Sequence, residues 1–451
     1  MASQKSKLLD PIRAIDNATV SAPSAASCAS GVIIFDLSVI VSQNADKPFS
    51  TFKDFFQFIW KKLLFEGRNH GRMDIVTDNY TKRNVLKEGT QLLNRGSGTT
   101  VHLDPDSKFP PDFRKNFLRN SQNKAALYHQ MAEFMSRESS VICDKCIVVT
   151  QGEEVLANMA TSLGTCNHLE ADVRIIVHII DAIQSGCDHV TVRTVDSDIV
   201  ILLVGFMSHF RQVCLSHGSD PDLLSVFALL GSSKNLEYLD IVNVTQKMTV
   251  VQCQGLIMLH AFTGCDFVEA FYQHGKKSFY KVYENDPGVC SMMANLTFNP
   301  EGLSIEHLYQ FEQFVLKVYG SKCPDLVSAR YDAIHHGAPA SLRLLPPSRG
   351  ALVQHVRRTV YVAGFYWGKA SISMPDMPDP IVWGWAYANG RLKPHWTNRL
   401  GDYKLMEDKL TRKCSCRSKC SICHKMLCRN CKCNPCYAHC ECRGDCCICN
   451  S

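Results

Sequence analysis

The stretch TVRTVDSDIVILLVG, residues 191–205, places two aspartates one residue apart at the junction of two apolar patterns. The residues before Asp196 alternate as in a buried strand, and those after Asp198 predict an apolar helix. Burying an unpaired carboxylate at such a junction costs free energy, because the charge loses its hydration. Asp196 and Asp198 therefore need a compensating partner, and the candidates are a helix N-terminus, a basic side chain or a metal ion.

Strand and helix patterns alternate on both sides of this junction. Strands are predicted at VIIFD (32–36), RMDIVTD (72–78), CIVVT (146–150) and HVTVRTV (189–195), with helical patterns between them. This alternation predicts an α/β fold in which a parallel sheet carries helices on both faces. In such sheets the active site lies beyond the carboxyl ends of the strands.

The composition is that of a globular chain with more than one domain. The chain has 451 residues, of which 45% are hydrophobic and 20% charged. Its longest apolar runs, such as Ile199 to Met207, are about half a membrane span, and the N-terminus lacks the order of a secretory signal. We therefore expect no membrane partner and a reducing compartment, nuclear or cytoplasmic with the nucleus favoured, not secretion.

Seven acidic residues occupy similar positions in this predicted α/β layer. They lie at strand ends, in the first turn of a helix or behind a glycine turn: Asp36, Asp78, Glu170, Asp172, Asp196, Asp198 and Asp266. Like charges so placed repel one another unless divalent cations neutralise them, and oxygen ligands alone suit Mg²⁺ or Mn²⁺. Two such ions about 4 Å apart can activate a water and stabilise the leaving oxygen in phosphodiester cleavage.

Capping is the alternative role for several of these acids. Asp36 and Asp78 fit loop caps. Glu170 fits a capping box with Asn167 as its N-cap, and Asp198 fits an N-cap of the helix that follows it. Capping leaves open why all seven acids occur at the same kind of position in one layer.

Five acidic motifs occur in a fixed order: FDLSVIV, IVTDNY, LEADVRI, TVDSDIVIL and TGCDFVEAF. This order resembles the PIN-like and flap endonuclease superfamily. The segments FDLSVIVSQ, VTDNYTKRNVLKEGTQLLNRGSG and HAFTGCDFVEAFYQHGKK further resemble a multicopy, transposon-associated animal family, over residues 31–451. The resemblance implies an Mg²⁺- or Mn²⁺-dependent structure-specific endonuclease or 5′–3′ exonuclease, in which the seven acids bind two ions.

The same resemblance implies roles for basic residues. Lys87 and Arg95 stand where flap endonucleases present basic side chains to the scissile phosphate. The segment HGKKSFYKVY (274–283) stands where those enzymes grip duplex backbone, although it lacks their repeated glycines. The candidate substrate-binding residues are Lys82, Arg83, Gly275, Lys276 and Lys277.

The C-terminal tail concentrates cysteine and positive charge. Thirteen of the 23 cysteines lie there: Cys414, Cys416, Cys420, Cys423, Cys428, Cys431, Cys433, Cys436, Cys440, Cys442, Cys446, Cys447 and Cys449. Their short spacings suit tetrahedral Zn²⁺, whereas the alternative, a disulfide framework, belongs to secreted chains. The pattern resembles tesmin/TSO1-type CXC modules. Residues 411–451 carry a formal charge of +6, that of the whole chain, which predicts salt-dependent nucleic-acid binding.

These patterns divide the chain into five segments. We expect a flexible leader at 1–30, a PIN-like nuclease domain at 31–300, a helical extension at 301–373, a Pro- and Trp-rich connector at 374–410 and a small zinc-bound module at 411–451.

Two other functions are compatible with parts of the pattern. A domesticated nucleic-acid-binding or protein-interaction factor would keep the fold without cutting, and the cysteine-rich tail would then suit a protein partner. An Asp-nucleophile phosphatase also uses a D-x-D pair at a strand end. That chemistry places the pair on the first strand, whereas here it follows two other strands that end in aspartate.

Overall fold

The computed structural model describes residues 5–80, 99–232, 235–335, 342–388 and 391–396. Residues 81–98, which include the basic candidates that follow Asp78, lie outside the described residues, and so does the cysteine-rich tail. The proposed roles of Lys82, Arg83, Lys87, Arg95 and the thirteen tail cysteines therefore stay predictions.

One eight-stranded sheet organises the described part of the chain. Its strands are β1 Thr19–Val20, β2 Val32–Asp36, β3 Arg72–Val76, β4 Cys146–Gln151, β5 Glu154–Ala157, β6 His189–Arg193, β7 Ser225–Ser232 and β8 Asn235–Asp240. The order across the sheet is β1-β8-β7-β6-β2-β3-β4-β5. The strands from β7 to β4 run parallel, and β8 and β5 flank them in antiparallel orientation. The predicted α/β class with a central parallel sheet is confirmed.

The α-helices lie before, between and after the strands. They are α1 Leu9–Arg13, α2 Ala25–Cys28, α3 Leu37–Asn44, α4 Phe52–Glu66, α5 Ser121–Ser139, α6 Ala171–Gln184, α7 Ser197–Ser216, α8 Ile241–Gln246, α9 Val250–Phe262, α10 Lys276–Tyr283, α11 Pro287–Phe298, α12 Ile305–Val318, α13 Leu326–His335 and α14 Arg349–Val360. A π-helix, Tyr361–Trp367, continues α14, and the strands β9 Trp385–Ala388 and β10 Arg391–Pro394 form an antiparallel pair beyond it.

Strand β2 shows how the sheet is covered on both faces. Val32 and Ile34 belong to one buried cluster, which includes α6, α7 and α9. Ile33 and Phe35 belong to the other, which includes α3, α4 and α5. Successive side chains point to opposite faces of a strand, so a strand covered on both faces reads as a continuous apolar run. The run VIIF therefore marks a central strand.

The direction in which successive strands are added to the sheet reverses at the boundary between the parallel strands β2 and β6. From β2 the sheet grows through β3 to β4 on one side, and from β6 it grows to β7 on the other. At such a reversal the two following connections diverge and leave a crevice beyond the carboxyl ends of the strands. Asp36 ends β2, and Asp196 and Asp198 lie just beyond β6, so the fold places these acids at the crevice.

Three features differ from the sequence predictions. Residues 5–30, expected to be flexible, are folded: Leu8, Leu9 and Ile12 are buried in the core, and β1 pairs with β8. Strands β1, β5, β7 and β8 extend the sheet beyond the four predicted strands. The predicted boundary at residue 300 does not separate two cores, because Phe311 and Trp367 lie in the same buried cluster as Val32.

Helix α7 is the core helix that follows the D-x-D pair. Within the described ranges it alone is long and apolar enough to cross a membrane, judged by length and composition. Most of it is buried inside the protein, where it packs against α6 and α9. Its apolar surface is thus covered by other helices of the same chain.

Candidate metal centre

Asp36 lies at the junction of β2 and α3, where it is both the last strand residue and the N-cap of the helix. Its Oδ1 accepts hydrogen bonds from the backbone N–H of Ser38 at 3.0 Å and from the Ser38 hydroxyl at 2.6 Å. The Asp36 side chain is buried, with 3% of the residue exposed. The predicted capping role is therefore correct for one oxygen of Asp36, and the residue also faces the crevice.

Asp78 connects the end of β3 with the start of α6. Its Oδ1 accepts from the backbone N–H of Ala171 at 3.0 Å, and its Oδ2 accepts from the Tyr80 hydroxyl at 2.9 Å. Helix α6 begins at Ala171, so Glu170 is its N-cap and the capping box expected with Asn167 does not form. Glu170 is buried beside Asp172, which lies in the first turn of α6.

The D-x-D pair lies at the start of α7. Asp196 is the N-cap, and its Oδ1 accepts from the backbone N–H of Asp198 at 2.9 Å, so the expected cap role belongs to Asp196 and not to Asp198. Asp172, Asp196 and Asp198 each offer a carboxylate oxygen, and these three oxygens lie within 4.8 Å of one another. The structure thus brings the helix α6 motif and the D-x-D motif together at one point.

Asp266 takes a different position from the other acids. It follows Gly264, whose φ of +110° is a conformation that side chains rarely adopt, so the predicted glycine turn is present. The Asp266 side chain is exposed and is not one of the three clustered carboxylates. Its proposed role as a metal ligand stays a prediction.

Burial and crowding raise the pKa of two carboxyl groups at the site, those of Asp36 and Asp172. Burial raises the pKa of Asp36 to about 6, and the nearby charge of Asp78 adds to the shift. Burial also raises the pKa of Asp172 well above its usual range. Asp196, Glu170, Asp198 and Asp36 then raise this pKa further through like-charge repulsion. These directions are those of a site that favours positive charge.

His260 is a site residue that the sequence analysis did not single out. Its Nε2 lies 2.8 Å from Oδ1 of Asp198, and its Nδ1 lies 3.0 Å from Nζ of Lys276. The Lys276 ammonium can only donate, so Nδ1 accepts and Nε2 carries the proton that His260 donates to Asp198. The chain Lys276–His260–Asp198 therefore fixes the orientation of a clustered carboxylate.

The same contacts change the interpretation of the HGKK segment. Lys276 is buried, and Nζ also donates to the His260 carbonyl at 2.8 Å and to the Thr263 hydroxyl at 3.1 Å. An ammonium held this way faces the protein interior, so the placement does not support the expected contact between Lys276 and substrate. Lys277 is exposed and forms an ion pair with Asp10, at 2.8 Å between Nζ and Oδ2. Gly275 is the exposed N-cap of α10.

Charge balance supports a cation at this site. Five carboxylates interact there, those of Asp36, Glu170, Asp172, Asp196 and Asp198. Helices α3, α6 and α7 begin at this point, and the N-terminus of each helix supplies about half a positive charge. Even with the Lys276 ammonium added, the compensation is about half of the five negative charges. The donor atoms are all oxygens, so Mg²⁺ or Mn²⁺ fits the remainder.

Comparisons with known proteins give structural likeness only. No protein-family model matches this chain, and no curated protein sequence matches it. The fold is similar to a solved structure of the catalytic core of Rad2 in complex with DNA substrate (complex II), with 11% identity and a TM-score of 0.35, over 82% of this chain and 94% of that one. A second such structure, complex III, matches with 11% identity and a TM-score of 0.34, over 70% of this chain and 94% of that one.

The raised pKa of Asp36 makes a pH-dependent prediction for the metal-free protein. Asp36 binds its proton more tightly in the folded chain than in the unfolded one, so its ionisation costs stability as the pH rises from about 4 through 6. Above pH 6, Asp36→Asn should therefore be more stable than the wild type, by about 3 kcal/mol. Urea unfolding at several pH values measures the difference.

Buried histidines such as His168, whose pKa burial lowers to about 4, titrate in the opposite sense, so only the difference between the two proteins is informative. Added Mn²⁺ should stabilise the wild type and close the gap. Asp220→Asn, the same change at an exposed aspartate, is the matched control. A constant gap from pH 4 to 7 would contradict the shift.

A second prediction concerns the two adjacent lysines of the HGKK segment. Lys276→Met removes the ammonium that holds His260 against Asp198. The lost positive charge by itself favours a cation, but we expect the lost orientation of Asp198 to outweigh it, so Mn²⁺ affinity should fall by about ten- to a hundredfold. Lys277→Met removes only a surface ion pair and should leave that affinity unchanged. Calorimetric titration with Mn²⁺ measures both. Equal affinities for the two variants would show that Lys276 does not position Asp198.

Proposed function

We propose that the protein is a metal-dependent nuclease that cleaves phosphodiester bonds by a two-metal mechanism. The observation that carries this proposal is the convergence of the Asp172, Asp196 and Asp198 carboxylates within 4.8 Å of one another. They lie at the crevice between β2 and β6, where the order of strand addition reverses, beside the buried Asp36 and Glu170. A partly buried cluster of oxygen donors at this place in an α/β sheet favours a ligand-binding role over a structural one.

The clustered carboxylates would hold Mg²⁺ or Mn²⁺, with Asp36, Asp78, Glu170 and Asp266 as the further ligands proposed for two ions. When bound, such ions supply the positive charge that activates an attacking water and stabilises the leaving oxygen of a phosphodiester. The protein's own contribution is to hold these carboxylates in place. Helix caps orient Asp36 and Asp196, and the His260 contact orients Asp198.

Nucleic acid, DNA or RNA, is the proposed substrate. Lys87 and Arg95 would stabilise the scissile phosphate, while Lys82, Arg83 and Lys277 would contact the strand. The tail at 411–451, with a formal charge of +6 and thirteen cysteines, would bind Zn²⁺ and anchor nucleic acid. A nuclear location and descent from a transposon-associated family complete the proposal.

The test compares two D-x-D pairs in the full-length chain. Asp196→Asn with Asp198→Asn removes two clustered charges and should lower cleavage of a panel of flap, duplex-end and loop oligonucleotides roughly a thousandfold, the equivalent of about 4 kcal/mol. The matched control is Asp220→Asn with Asp222→Asn, a pair with the same spacing that is exposed at the surface. Control and wild type should cleave alike with Mg²⁺ or Mn²⁺.

Either of two outcomes would contradict the proposal. If both double variants cleave at the wild-type rate, the clustered carboxylates are not the catalytic site. If the wild type binds the oligonucleotides but cleaves none of them with either ion, the chain is a binding factor on the same fold. Thermal unfolding of each variant shows whether a loss of cleavage reflects a loss of folding.

A further inference from the structure

A second cluster of side chains that can bind metal lies at the amino ends of the central strands, opposite the carboxylate cluster at their carboxyl ends. Cys28 ends α2 just before β2, His70 precedes β3, and His189 is the first residue of β6. The strands β6, β2 and β3 are neighbours in the sheet, so their amino ends bring the three side chains together. All three residues are buried.

The distances in this cluster match those of a metal site. The Cys28 Sγ and one ring nitrogen of each histidine lie within 4.8 Å of one another. The distance between Sγ of Cys28 and Nε2 of His189 is 3.5 Å. In a tetrahedral zinc site, Zn–S bonds of about 2.3 Å and Zn–N bonds of about 2.0–2.1 Å separate sulfur from nitrogen by about 3.6 Å.

His70 supplies a second and independent observation. Only 7% of the residue is exposed, and neither Nδ1 nor Nε2 has a hydrogen-bond partner among the described residues. A neutral imidazole carries one donor and one acceptor, and burying both without partners costs free energy. A hydrogen bond between the Cys28 thiol and His189 accounts for those two side chains, but it leaves the buried ring nitrogens of His70 without a compensating contact.

We propose that Cys28, His70 and His189 bind one Zn²⁺ ion that fastens the amino ends of β2, β3 and β6 together. Three protein ligands leave the fourth tetrahedral position to a water or to a nearby hydroxyl, and Thr191 Oγ1 lies 3.3 Å from Nε2 of His189. One sulfur and two nitrogen donors select Zn²⁺ over Mg²⁺ or Mn²⁺. The amino ends and the carboxyl ends of the central strands would thus bind different ions.

The protonation states of the ligands are consistent with such a site. Burial lowers the pKa of His70 to about 4, with smaller effects of His189 and Lys145, so its ring is neutral and able to ligate. Burial also lowers the pKa of His189. It raises the pKa of the Cys28 thiol, so the metal must displace that proton as it binds.

A zinc ion at this site would have a structural role and not a catalytic one. The strands that separate it from the carboxylate cluster have five residues each, which at about 3.3 Å per residue is a separation of about 17 Å. A zinc ion there is too far away to act on a substrate at the carboxyl edge. It would instead fix the relative positions of the three strands that carry Asp36, Asp78 and Asp196.

The test measures the number of zinc ions per chain by elemental mass spectrometry, for the full-length wild type and three variants of it. Cys28→Ser and His70→Phe should each hold one zinc fewer per chain than the wild type, since the tail cysteines are common to all. Cys214→Ser, which removes a buried thiol from α7, is the matched control and should keep the wild-type count. Unchanged counts in the first two variants would overturn the proposal.

The melting temperature of His70→Phe gives a second readout with opposite signs. If the site binds zinc, this variant loses a ligand and melts below the wild type. If the site is only a packed cluster, the phenyl ring replaces an imidazole without partners and the variant melts at or above the wild type. Chelation should lower the melting temperature of the wild type by more than that of His70→Phe. A higher melting temperature with an unchanged zinc count would show that no metal binds there.

Discussion

Repulsion among crowded carboxylates, buried or partly buried, is the constraint on which the rest of this structure depends. The fold gathers Asp36, Glu170, Asp172, Asp196 and Asp198 at one crevice, although they come from the N-termini of three different helices. A fold selected for stability alone would have no reason to concentrate like charges there. The helix N-termini and the Lys276–His260 pair reduce the repulsion without removing it. The remaining negative charge is what bound divalent cations would offset in the proposed metal centre.

The interior of the molecule holds this charged edge in place. Strand β3 is tied to α6 by a buried network in which Arg72 bonds both oxygens of Asp74 at 2.8 Å and pairs with Asp181 at 2.6 Å. His178 adds a hydrogen bond to Asp74 at 2.7 Å. Such buried pairs fix geometry because breaking one leaves an uncompensated charge. The relative position of β3 and α6 in turn sets where Asp78 meets the N-terminus of α6.

The strand-end acids are predictable from the sequence because a continuous apolar run followed by aspartate is typical of a central strand that ends at a polar crevice. The run VIIFD shows both the central strand and the carboxylate at its end. The hydrogen bond between Asp198 and His260 could not be predicted, because it joins residues 62 positions apart. In the sequence, His260 is simply a polar residue in a mostly apolar helix. The buried role of Lys276 was hidden for the same reason, because only packing distinguishes it from Lys277.

Short elements and strand order account for the remaining differences. Helix α1 has five residues, too few for a periodic pattern, so nothing in residues 5–20 shows that Leu8 and Ile12 are buried. Strand β1 has two residues and is defined only by its pairing with β8. The Cys28, His70 and His189 cluster follows from strand order, which alternation of patterns does not specify. Tertiary neighbours, and not local propensity, decide all three.

Electron paramagnetic resonance of Mn²⁺ tests the central claim most directly, because bound Mn²⁺ loses the sharp spectrum of the free ion. Titration of the full-length chain at neutral pH should show two Mn²⁺ ions bound per chain, both displaced by excess Mg²⁺. Oxygen ligands predict this competition, whereas cysteine and histidine ligands do not. A free-ion signal equal to that of buffer alone, or bound Mn²⁺ that Mg²⁺ fails to displace, would contradict the account.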